Sequence, residues 1–169
     1  MNPNVWNRLD LVARSLSPFS ITLLLVMAGM VPLRLPAFAP IVPALGLIAV
    51  YYWVIHRPDL MPAWAVFLIG LLQDLLGGGP LGVGVFVLLV VYAAVASQRR
   101  LFTSASFMLM WAIFLPVAAG AFLLSWLFNS LMIDGIINPG AALFQYLTTV
   151  AFYPCLAWLF VQVQRVFLR

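Results

Sequence analysis

Lysine and glutamate are absent from this chain of 169 residues, and the remaining charge is sparse: eight arginines against four aspartates, 7% of the chain, beside 66% hydrophobic residues. A soluble globular domain carries about 25% charged and about half apolar residues, so the composition excludes that class and indicates an integral membrane protein. The net charge of +4 sits on scattered arginines and reads as membrane orientation, which leaves nucleic acid as an unexpected partner. One cysteine, Cys155, lies in an apolar run; it cannot close an internal disulfide and reads as a packing residue. The single histidine, His56, has no companion cysteine or carboxylate cluster, which argues against a metal centre. Neither G-x-S-x-G, a phosphate loop nor H-E-x-x-H is present. No catalytic residue, cofactor or metal ligand is therefore assigned, and an enzyme would have to work with arginines, one intramembrane aspartate and hydroxyls.

What is present is a series of apolar stretches cut by proline, glycine and charge clusters. About 20 residues cross a bilayer as a helix. The pattern predicts an all-α membrane protein, one polytopic domain over residues 1–169 with six spans at approximately 18–36, 40–56, 60–76, 81–98, 101–128 and 140–164. With the N-terminus inside, Arg8, Arg14, Arg57, Arg99, Arg100, Arg165 and Arg169 all fall on the cytoplasmic side and only Arg34 outside, a distribution that sets both termini in the cytoplasm. Ahead of the first span, Val5, Trp6, Leu9, Val12, Ala13 and Leu16 recur at three- and four-residue spacing, with Asn7, Asp10 and Arg14 on the other side. Residues 1–17 thus read as an amphipathic helix lying in the interface. The run after Arg14, ending in Ala37-Phe38-Ala39, imitates a cleaved signal, but Pro40 would follow the cut, so it is taken as an uncleaved first span.

The stretch GLLQDLLGGGPLGVG, Gly70 to Gly84, interrupts this monotony. The apolar runs on either side of it are short, about 22 Å of helix against a hydrocarbon core of about 30 Å. The tip Gly77-Gly78-Gly79-Pro80-Leu81-Gly82 is therefore expected at or below the outer surface, where irregular backbone must be buried in protein or line a wet cavity. Pro80 is expected in the first turn of the next helix. Asp74 stands in the last turn of its own helix, penalised by desolvation and by the helix dipole. Two partners are expected for it: the amides of the tip, and Arg34, the one outer-side arginine.

Weaker signals surround it. Gln145, Thr148 and Thr149 share a face in the outer half of the last span, with Ser125 and Asn129 level with them on the preceding helix; they line the expected cavity or merely bond between helices. Arg57, Pro58 and Asp59, after His56, read as a tight cytoplasmic turn presented to a cytoplasmic or membrane partner.

These features in order, a short six-span chain, Arg57-Pro58-Asp59 at the entry to the third helix, then Phe67, Gly70 and Asp74, then Gly77, Leu81 and Gly82, with Tyr92 and Arg99 closing the fourth span, resemble the rod shape-determining protein family MreD. The resemblance implies a non-enzymatic inner-membrane subunit of the bacterial cell-elongation complex that binds the single-span protein MreC and links the MreB filament to RodA and its partner transpeptidase in peptidoglycan synthesis. It also implies a fold like the substrate-binding subunits of energy-coupling vitamin transporters. The rival expectation is such a transporter subunit taking up a small vitamin-like molecule; an enzyme acting on lipid-linked cell-wall precursors stands third.

Overall fold

Proline and glycine punctuate the helices. Arg57, before Pro58, takes φ −146° and ψ 68° and ends one helix, as the proline ring demands of its predecessor. Pro62, extended at φ −70° and ψ 161°, opens the next, and Gly78 closes it in the left-handed region at φ 67°. In the computed structural model, which describes residues 19–29, 43–98, 106–132 and 139–167, these breaks separate six helices. They are α1, Phe19–Gly29; α2, Leu45–His56; α3, Ala63–Gly77; α4, Val83–Ser97; α5, Phe107–Met132; and α6, Pro139–Phe167, with a 3-10 turn at Pro58–Leu60. No strand occurs among the described residues. The 26-residue α5 and the apolar 27 residues of α6 are long enough to cross a membrane. Leu123, Leu127 and Leu131 leave an exposed leucine stripe on α5, as a lipid-facing helix does. α5 runs to Met132, past the residue at which its span was expected to end.

Successive helices alternate in direction. Ala44 N, ahead of α2, meets Thr149 of α6, whereas Tyr52 near the end of α2 meets Gln164, so α2 and α6 run parallel. Phe86 at the start of α4 packs on Phe128 near the end of α5, and Phe107 at the start of α5 on Tyr153 of α6. One end of the bundle therefore holds the α3–α4 turn and the starts of α2 and α6. The other holds the Arg57–Asp59 turn, the start of α5 and the end of α6 with Arg165.

The core is built around α2. Gly46 through Ile55 are all buried, the mark of a helix apolar on every side and surrounded by others; α3, α4 and α6 enclose it, and α5 packs on α4 and α6. Tyr51 sits edge-on to Phe114 at 5.0 Å, Phe114 stacks on Tyr153 at 4.6 Å, and Tyr52 and Trp53 both meet Phe160, at 4.9 and 5.5 Å. Small residues allow the closest crossing: a Cβ on Gly70 would stand 2.7 Å from Val85 Cα, so only glycine lets α3 and α4 touch there. Pro154 inside α6 carries no N–H, which frees the carbonyl of Val150 one turn earlier. Trp111 Nε1 of α5 donates to that carbonyl at 3.2 Å, repairing the break from a neighbouring helix.

Candidate functional site

The carboxylate of Asp74 reaches from the last turn of α3 across the turn to the first turn of α4. Gly82 N donates to Oδ2 at 2.7 Å, Gly84 N to Oδ1 at 3.0 Å and Val85 N to Oδ2 at 3.3 Å. The first amides of any helix lack intrahelical acceptors, and here one side chain from another helix takes three of them. The electrostatics follow. Asp74 suffers the negative end of the α3 dipole but faces the positive end of α4 at hydrogen-bond distance, where an anion is stabilised. A carboxylate expected to be penalised by its position is thus compensated by the next helix.

The turn's glycines are not equivalent. Gly78 and Gly82 have φ of 67° and 101°, the left-handed region that L side chains rarely adopt. Gly84 is required by contact, because a Cβ there would collide with Asp74 Oδ1. Gly77 is the last residue of α3; nothing lies within 4 Å of a Cβ added at Gly79, which shows no comparable need. Pro80 does not stand in the first turn of α4. The left-handed Gly82 is the residue before the helix and sets its start at Val83, so Pro80 remains in the turn, its carbonyl accepting from Val83 N at 3.5 Å.

Beside the turn lies a cavity of about 140 Å³, bounded by Ala44 and Leu47 of the α2 region, Gln73, Gly84, Val87 and Leu88 of the hairpin, Ala121, Phe122 and Ser125 of α5 and Gln145 of α6. Gln73 lies against α2 so closely that a Cβ on Gly46 would stand 2.7 Å from its Nε2. Of the five polar residues expected to line a cavity, Gln145 and Ser125 do so. Thr149, fully buried, instead accepts from Ala44 N at 3.0 Å and donates to Gln145 O at 2.6 Å, clamping α6 to the start of α2. Thr148 bonds within α6, to Phe144 O and Gln145 O, and Asn129 within α5, to Ser125. Arg34, the other expected partner of Asp74, lies outside the described residues, as does the amphipathic segment 1–17.

Arg57, Pro58 and Asp59 sit at the opposite end of the bundle, apart from Asp74. Arg57 and Asp59 are exposed, and the turn is closed by Leu60 N to Arg57 O at 3.1 Å and Met61 N to Pro58 O at 3.2 Å, with Met61 buried beneath. No group of three metal-ligating side chains forms among the described residues. Sequence reasoning passed over Gly84 and Gln73. The spacing G-x-G at Gly82 and Gly84 was the available signal for the first; nothing local distinguished the second.

The family model for the rod shape-determining protein MreD matches residues 11–163. The chain belongs to the MreD family. No curated protein and no solved structure matches it. MreD is a family of membrane proteins that act in rod shape determination. In this member, the residues that carried the resemblance acquire physical roles: Gly70 admits α4 and Asp74, one turn on, caps it, while Phe67 points outward, 44% exposed.

Proposed function

We propose that this MreD-family chain is a multi-pass, non-enzymatic subunit of the bacterial inner membrane, with both termini cytoplasmic. It binds MreC and links MreB to RodA and its partner transpeptidase during lateral peptidoglycan synthesis. The family match over almost the whole bundle carries this reading. The site's chemistry supports it: the carboxylate of Asp74 is spent on backbone amides, so the hairpin is a rigid shape for a partner rather than a reacting centre. A vitamin carrier with its pocket at this turn is less well supported, since pockets for such ligands measure about 300–1,000 Å³ and the cavity at the turn is about 140 Å³.

Depletion in the native rod-shaped bacterium is expected to give rounded, lysis-prone cells, and the affinity-tagged chain to co-purify with MreC. Normal cell width after complete depletion, with loss of uptake of a vitamin, would replace this reading with the transporter. A reporter fused after Arg169 is expected in the cytoplasm and one inserted near Asn138 outside; finding both on one side would break the six-span topology. Arg34→Ala is expected to weaken co-purification as Asp74→Ala does, with the double variant no worse than either; strict additivity would remove the ion pair.

A further inference from the structure

A second cavity, of about 530 Å³, lies at the other end. It opens between the first turns of α5 and the second half of α6, with the last turns of α2 as its floor. Met110 stands on the α5 side, Pro154, Trp158 and Val161 on the α6 side, and Tyr52 and His56 beneath. Its lining is almost entirely carbon. Two of the floor's polar groups are engaged: His56 Nδ1 donates to Tyr52 O at 2.9 Å and Tyr52 OH to Gln164 Oε1 at 3.2 Å.

Cations gather where the helices forming this slot end. Arg57 is exposed and directly follows His56. Arg165 is exposed and lies seven residues after Trp158 and four after Val161, which places it on the same face of α6, one turn beyond the slot. Asp59, two residues past Arg57, is exposed and is the one carboxylate at this end among the described residues. A carbon-lined slot that leads to arginines at the helix ends is the complement of a phospholipid, an apolar tail under a phosphate. Guanidinium groups bind phosphate through paired hydrogen bonds, and basic sites between membrane helices select anionic head groups.

We propose that this slot is a binding site for one anionic phospholipid of the surrounding bilayer, an acyl chain lying between α5 and α6 and the phosphate held by Arg57 and Arg165. A zwitterionic lipid offers the same phosphate but brings an ammonium of its own against the two guanidinium groups, so it gains less from them, and a partner's apolar helix would gain nothing from the two cations.

The test uses the purified full-length chain in detergent, titrated with phosphatidylglycerol or with phosphatidylethanolamine of the same acyl chains and read by native mass spectrometry. Phosphatidylglycerol is expected to bind roughly tenfold more tightly. Arg57→Gln with Arg165→Gln should abolish that preference while leaving weak, equal binding of both lipids. Met110→Trp, which fills the slot from α5, should reduce binding of both, and Val161→Trp should do the same from α6; unchanged melting temperature and monodisperse elution identify the variants that have kept the fold. Equal affinity for the two lipids in the unaltered chain, a preference that survives loss of both arginines, or full binding by a folded slot-filling variant would overturn the proposal.

Discussion

At the α3–α4 end, one carboxylate holds three backbone amides and two glycines take left-handed conformations; at the Arg57 end, rings from α2, α5 and α6 stack around Tyr51, Tyr52 and Tyr153. The first arrangement is short in sequence and exacting in backbone geometry. The second joins residues far apart and is tolerant in detail, because aromatic contacts of this kind are numerous and individually worth only about 0.5–1.5 kcal/mol. A single substitution should therefore damage the turn end more than the aromatic end. That is the difference to expect between a surface whose shape matters to a partner and a packed interior.

The strongest test of this contrast is Gly70→Val. The added Cβ meets the Val85 backbone at 2.7 Å, where no side-chain rotation can relieve it, and a cost of about 3 kcal/mol is expected. Thermal unfolding in detergent should show a large loss of melting temperature, with little folded protein accumulating; a near-normal melt would mean that α3 and α4 separate easily. Asp74→Ala comes next, leaving three amides without their acceptor, at about 2–3 kcal/mol. Asp74→Asn should cost about 1 kcal/mol, since one oxygen still accepts while the new amide group faces other donors. Co-purification with MreC should fall in the same order. If Asp74→Asn abolishes function while the protein accumulates and binds MreC normally, the carboxylate's charge is used directly and the capping account fails. At the aromatic end, Trp111→Phe removes the donor to Val150 O but keeps most of the ring packing, so a loss of about 1 kcal/mol is expected. Combined with Asp74→Ala it should add, as sites without shared partners do; marked non-additivity would show that the two ends are one cooperative structure.

These contrasts also explain what the sequence made readable. Asp74 and its glycines stood out because charge and consecutive glycine are rare against an apolar background, and because the capped amides lie only eight to eleven residues on. The helices were readable from their breaks: Pro58 and Gly78 end segments and Pro62 opens one by local sterics alone. Pro80 was misplaced because a proline near a helix start looks the same whether or not a left-handed glycine intervenes. Gly84 was hidden because its reason is a side chain ten residues earlier, not its own conformation. The bond from Trp111 to Val150 O that repairs the break at Pro154, between residues 39 apart, and the Tyr52–Gln164 bond, 112 apart, leave no periodic trace, since any tyrosine or tryptophan in an apolar run reads as core.

The burial of α2 has a consequence in time. Its start is held by Thr149 and its Tyr52 by Gln164, residues 105 and 112 positions downstream. At a synthesis rate of about 5–20 residues per second, roughly 5–20 s separate the emergence of α2 from the ribosome and that of the helix that completes its surroundings. Throughout that interval α2, buried from Gly46 to Ile55 in the finished fold, lacks the α6 partners of its amide and hydroxyl. A nascent chain paused before residue 149 therefore leaves open the very surface that the folded protein conceals.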